Sequence, residues 1–392
     1  MALPCHSVAG WLVLASAFLV PTAVFAADKK PTPRTYWVYI GAYTGESSKG
    51  IYRFDLDPAT GKLTNKTLAA ESASPSYLAF HPNGRFLYSV NEIPPPGKKG
   101  GGVSAFAIDQ KTGDLTFLNQ ESSVGAGPCH LIVDKEGKHV IAANYGGGSV
   151  VVLPIDENGR LGEPPYFVQH KGKGKDPGRQ EGPHAHCAAL DAANRFAFVC
   201  DLGLDKVLIY KYDEEKGTLT PNDPPAADVA PGSGPRHIAF TPDERFCYAV
   251  NELNSTMTAF AYDADHGALK TLQTLSTLPK GGFTGATSCA ECVVHPSGKF
   301  VFGSNRGQDS IATFAIDPKT GHMTYVANQG EGIKVPRGFT VDPTGTWAVV
   351  ANQDSDSVVV FRIDPKTGEL TPTGDKVEVG KPVDVKIMGK PE

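Results

Sequence analysis

From Tyr36 onward the apolar residues come in short runs, rich in β-branched and aromatic side chains and broken every few positions by Gly, Pro, Asp or Asn. Runs this short and this often interrupted predict strands rather than helices. The stretch Gly234 to Glu252 shows the pattern most clearly. Ile238 and Phe240 mark one strand, Phe246, Tyr248 and Val250 a second, and Thr241-Pro-Asp-Glu244 supplies turn residues between them. In an antiparallel hairpin the start of the first strand and the end of the second share one edge. Arg236 and His237 are therefore expected beside Asn251 and Glu252.

Two phrases repeat. The first is a turn of the type Asp57-Pro-Ala-Thr-Gly-Lys-Leu63, found again from Asp109, Asp156, Asp213, Asp263, Asp317 and Asp364. These seven copies recur at a period of about 51 residues, which suits propeller blades better than helical solenoids. The second is a turn leading into an aromatic-rich strand, as in His81-Pro-Asn-Gly-Arg85, with six copies. The seventh is expected to form from both chain ends, with Pro382 to Met388 as the first strand and Tyr36 to Ile40 as the second. The predicted fold is all-β: a seven-bladed β-propeller of four-stranded antiparallel blades, closed by pairing of the N- and C-terminal strands in one blade. Such closure leaves no open sheet edge. A parallel β-helix would use shorter repeats and would not need complementary termini.

Composition adds bounds. A formal charge of -5, with 20% charged and 40% hydrophobic residues, describes an ordinary globular chain with no long basic tract for nucleic acid. Residues 1–26 read as a secretory signal peptide, with an apolar run from Trp11 to Val20 and small residues before a cleavage site at Ala26. Residues 27–34 read as a short linker and 35–392 as one domain. The expected protein is exported, periplasmic or secreted, monomeric, and not held in a membrane once the signal is cleaved. An export route permits disulfides, yet most of Cys129, Cys187, Cys200, Cys247, Cys289 and Cys292 fall in predicted strands, where cysteine commonly acts as a small buried hydrophobe. Cys289-Ala-Glu-Cys292 has C-x-x-C spacing but no second ligand pair at zinc-site distance.

The repeats make equivalent positions comparable. Aligning the first strands on their turns puts Ser76, Cys129, His186, Arg236, Ala290 and Arg337 in one column, and Tyr77, His130, Cys187, His237, Glu291 and Gly338 in the next. After the second strands come Asn91-Glu92, Asn144-Tyr145, Asp201-Leu202, Asn251-Glu252, Asn305-Arg306 and Asn352-Gln353. All are expected to crowd one mouth of a central channel. Arg236, Arg306 and Arg337 would repel each other there unless anions answer them. Glu92, Glu252 and Glu291 are the internal candidates, and a self-neutralised network is one reading of the set; a bound anion is the other. Asn144 and Asn305 are candidate substrate contacts on a column that otherwise reads as scaffold, and His130 and His237 belong to the same candidate surface. His184 and His186, two apart on an extended segment, should face one side. A metal would need further ligands where the sequence offers arginines, so acid–base use of one histidine is preferred, without metal or cofactor. Arg179 and the lysines of the preceding loop would draw in an anionic substrate.

At these residues the chain resembles the lactonase family of seven-bladed propellers, which includes propeller-type 6-phosphogluconolactonases and carboxy-cis,cis-muconate cyclases. The resemblance rests on Tyr39-Ile-Gly-Ala-Tyr43, Arg179-Gln-Glu-Gly-Pro-His184-Ala-His186, Gly234-Pro-Arg-His237, Asn251-Glu252, Ser304-Asn-Arg306 and Asn352-Gln353-Asp354. It implies a metal-free cleft using His186 or His184, Arg236, Glu252 and Arg306, acting on a small anionic lactone. Lactone hydrolysis, a muconate-lactone-type cycloisomerisation and non-catalytic binding by an exported propeller all stay open on the sequence. No Gly-x-Ser-x-Gly elbow is present to suggest a serine acyl-enzyme.

Overall fold

Seven four-stranded antiparallel sheets form a ring in the computed structural model, which describes residues 35–391 apart from 94–96, 98 and 99, together with Met1 and Ala2. Apart from Met1 and Ala2, the expected signal peptide lies outside the described residues, as does the whole of the linker. Counting from the N-terminus, blade 1 takes residues 36–71 and 382–389, and blades 2 to 7 take 78–122, 128–169, 185–228, 235–276, 288–329 and 336–378. The closing blade is built as the pattern predicts. Strand Pro382–Gly389 pairs antiparallel with Tyr36–Ala42, from Tyr36 opposite Gly389 to Ala42 opposite Pro382.

The two repeated phrases do different jobs. In the first, the aspartate caps its own turn: Asp57 Oδ1 accepts from the Ala59 N–H at 2.9 Å, and its carbonyl accepts from the Gly61 N–H at 2.8 Å. Gly61 has φ +74°, and a Cβ there would come within 2.5 Å of the Trp347 ring in blade 7. Glycine is required by both conformation and contact. The aromatic that begins the second phrase's strand is what it meets. Gly321 likewise lies under Phe246, and its carbonyl accepts from the Tyr248 hydroxyl at 3.0 Å. The phrases thus lock neighbouring blades together, which explains why they repeat in step.

The apolar core is distributed over the seams between blades. Tyr36, Val38 and Phe54 pack with Trp347, Val349 and Val360 at the closing seam, and Phe198, Cys200 and Ile209 pack with Cys247, Ala249 and Phe260 between blades 4 and 5. Second strands such as Phe246–Asn251 and Trp347–Asn352 are buried along their whole length. A strand covered on both faces needs near-continuous apolar sequence, as these have. Among the described residues the six cysteines are free thiols, five of them buried. Cys289 and Cys292 do not face each other: Cys289 Sγ contacts Thr277 Oγ1 at 3.2 Å, whereas Cys292 Sγ donates to the Tyr248 carbonyl.

Candidate active site

The first strand of each blade lines the channel, and most of these strands carry a β-bulge at their start. Pro235 pairs with Asn251 and His237 with Val250, so Arg236 is left without a partner. Cys129, His186 and Arg337 are left over in the same way between Pro128 and His130, Ala185 and Cys187, and Pro336 and Gly338. A bulge inserts one residue and re-aims its side chain. Four of the six residues in the first sequence column are thus bulged residues, and three of these, Cys129, His186 and Arg337, line one cavity.

That cavity, of about 460 Å³, is lined by Glu92, Cys129, Tyr145, Arg179, His186, Glu252, Ser288, Arg306 and Arg337 with the glycines 127 and 146. Glu252 is the hub. Its Oε1 accepts from Arg179 Nη2 at 2.6 Å, and its Oε2 lies 2.9 Å from Arg236 Nε and 3.0 Å from Arg306 Nη2. The Arg236 Nε contact is an ion pair in distance only, since that N–H is not aligned on the oxygen. Burial alone would raise the Glu252 carboxyl, but Arg306, Arg236 and Arg179 outweigh it and hold the group at about 2. Arg306 also donates to the Cys289 carbonyl at 2.7 Å, while its Nε has no hydrogen-bond partner. Arg337 lies over the Tyr43 ring, 5.4 Å from its centroid, with no carboxylate at ion-pair distance among the described residues. Glu92 is engaged elsewhere, accepting from Tyr43 Oη at 2.9 Å and Ser76 Oγ at 2.8 Å.

His186 is buried, with its ring 5.5 Å from Tyr145 and 5.2 Å from His237. Its Nδ1 is 3.7 Å from Cys129 Sγ. Burial first, then the charges of Arg236, His237 and Arg337, push it well below the ordinary histidine value, so the imidazole is neutral at neutral pH. His184 behaves differently from the i, i+2 expectation. It precedes the strand, and the bulge at His186 breaks the alternation that the expectation assumed. Its N–H donates to Asp201 Oδ1 at 2.8 Å, its Nδ1 lies 2.9 Å from the Tyr145 carbonyl, and its ring stacks on Tyr145 at 4.5 Å. It supports the cavity wall without lining it.

The structure brings together Arg179, His186, Glu252, Arg306 and Arg337 at the cavity, with Arg236 directly beneath. His130, His237 and Glu291 are buried as well but do not line the cavity. Asn144 and Asn305 are not brought in. Asn144 Nδ2 donates to Ser123 O and Ser149 Oγ, and Asn305 Nδ2 to Thr277 O at 2.9 Å. Carbonyls buried at blade ends need donors, and these amides supply them. Glu92, a candidate anion on the sequence, also lines the cavity, as do Tyr145 and Ser288, which were not singled out there. The first two occupy the column after the second strands, which was the available signal; Ser288 carries none. Among the described residues no three His, Cys, Asp or Glu side chains converge as metal ligands.

A family model described as "Lactonase, 7-bladed beta-propeller" matches residues 37–387. The 6-phosphogluconolactonase of Bacillus subtilis is 38% identical over 307 residues, 78% of this chain and 85% of that protein. The 6-phosphogluconolactonase of Formosa agariphila is 32% identical over 311 residues, 78% of this chain and 86% of that protein. Among solved structures, the periplasmic gluconolactonase of Pseudomonas aeruginosa matches with a TM-score of 0.85 at 33% identity, covering 91% of this chain and all of that one.

Proposed function

The chain belongs to the seven-bladed β-propeller lactonase family, and on that premise we propose that it hydrolyses a small lactone bearing a carboxylate or phosphate. The observation that carries the proposal is a buried imidazole set among guanidinium groups in one cavity. Arg306 lines the cavity with its side chain 15% exposed and would donate to the lactone carbonyl, most strongly as that oxygen becomes an anion. Arg337 and Arg179 would hold the substrate's own anionic group. His186 takes a proton from water as its oxygen bonds to the carbonyl carbon. It returns that proton to the ring oxygen when the acyl C–O bond breaks, giving the open hydroxy acid. The substrate's charge assists the base. Arg236 and Arg337 oppose protonation of His186 in the empty cavity, and an anionic ligand, followed by the oxyanion, offsets that opposition. Glu252 keeps the guanidinium groups together, and Arg236 supports it from below. Trp11 to Val20 and the similarity to a periplasmic gluconolactonase support an exported enzyme.

The test is a screen of purified protein on glucono-δ-lactone, its 6-phosphate ester and uronic and muconic lactones in ¹⁸O-labelled water. Hydrolysis places the label in the product carboxylate. An unlabelled product would mean isomerisation, and inactivity on every lactone would favour a binding protein.

A pH profile supplies an independent check. The base works when neutral, so a depressed His186 stays active as pH falls below the usual histidine range of about 6.5. The acid limb of kcat/KM is expected below that value in the wild type. Removing one opposing charge in R337Q should move the limb upward. A wild-type limb at or above about 6.5 would take His186 out of the role.

A further inference from the structure

Beneath the cavity, His237 and Glu291 are buried to 3% and 6% exposure and border only a narrow void shared with Arg236. They do not line the cavity, so contact with substrate does not account for two ionisable groups at this depth.

Their hydrogen bonds run in one direction. A guanidinium can only donate, and Arg236 Nη1 lies 3.2 Å from His237 Nε2. The Nε2 is therefore the acceptor, and in the neutral ring the proton sits on Nδ1. That nitrogen lies 2.6 Å from Glu291 Oε1, which also accepts from the Cys292 N–H at 3.0 Å. Two donors on one oxygen suit a carboxylate. Arg236 Nη1 gives a further bond to the Ala290 carbonyl at 2.6 Å, from the same bulged segment that delivers Glu291. The His237 ring is packed on its remaining sides by His130 at 5.1 Å, His186 at 5.2 Å and Tyr77 at 5.7 Å. At the other end Arg236 faces Glu252, which holds Arg306. Glu291, His237, Arg236, Glu252 and Arg306 form one continuous chain from the channel interior to the cavity wall.

We propose that Glu291 and His237 are a positioning dyad: they lock the Arg236 guanidinium and, through it, the Glu252–Arg306 pair that meets the reacting carbonyl. The dyad touches no substrate. It rests on the reading of Arg306 as oxyanion donor, and it makes His237 and Glu291 parts of the catalytic frame rather than of the binding surface.

A kinetic double-mutant cycle on glucono-δ-lactone or its 6-phosphate ester tests it. H237A is expected to lower kcat about tenfold with KM changed less than about twofold, because a misplaced oxyanion donor is felt mainly in the transition state. R236A should lower kcat about a hundredfold. In the double variant the loss should equal that of R236A alone, since the dyad then has nothing left to hold. E291Q keeps the shape and the acceptor oxygen while removing the charge, so it tests the dyad with least risk to folding. It should lower kcat severalfold in the wild type and be silent in the R236A background. Losses that multiply in the double variants, or unchanged kcat in H237A and E291Q, would overturn the dyad while leaving the cavity mechanism standing. Full turnover in R236A would bring down the arginine–glutamate reading and the dyad with it.

Discussion

The H186Q protein is expected to turn over lactone about 10²–10⁴ times more slowly than the wild type, the usual range for loss of a positioned general base. Glutamine keeps most of the volume of the histidine and cannot take the proton. Two features make the loss large. His186 supplies the one imidazole among the described residues that line the cavity, and Glu252, the other candidate base, has its charge shared among three guanidinium groups and is held ionised at about 2. A carboxylate so stabilised is a weak base near neutrality. His184 cannot substitute, because its ring is stacked on Tyr145 behind the wall. Steady-state kinetics on the folded variant checks the prediction, with added imidazole expected to restore part of the rate. Wild-type turnover in H186Q would mean that water is activated elsewhere.

E252Q is expected to fail in two measurements at once. An ion pair at about 3 Å is worth roughly 5 kcal/mol at an effective dielectric near 20, and Glu252 makes such contacts with Arg179, Arg236 and Arg306. Removing its charge leaves Arg236 and Arg306 buried and mutually repelling. Burial and Arg236 already draw Arg306 down to about 10 with the glutamate in place. Loss of one partner from a buried charge cluster costs about 3–5 kcal/mol, so the melting temperature should fall by several degrees. Because Arg306 would lose its tether, kcat should fall about 10²–10³-fold, the range seen when an oxyanion donor is removed. Sulfate or phosphate, entering between the arginines, should recover part of the melting temperature and none of the rate. If E252Q melts and turns over like the wild type, Glu252 does not organise the cavity.

Much of this site was readable because the chain repeats itself. Aligning the blades showed Arg236 and Glu252 as additions to a common hairpin, and the structure pairs them at 2.9 Å. Two adjacent columns looked equally exposed to the channel, however, and they are not. The bulges put Cys129, His186 and Arg337 on the cavity, whereas the residues that follow them, His130, Cys187 and Gly338, do not line it. One inserted residue against its partner strand is invisible to an alignment made along a single strand. The same omission placed His184 and His186 on one side. Asn144 and Asn305 followed the column rule as well, but their amides were needed inside the blades, where buried carbonyls compete for donors more strongly than open solvent does.

The sequence by itself determined the ring. Strand length, turn chemistry, a period of about 51 residues and complementary termini are local or periodic properties, legible without coordinates. It also singled out the residue types at the mouth. Only the tertiary structure decided depth and partnership: which guanidinium groups share Glu252, that His186 faces the cavity while His184 props the wall, and that His237 and Glu291 lie beneath. The physical reason is that charge and proton affinity depend on distances between different blades and on burial, and both are set by the bulges and by ring closure rather than by any one strand.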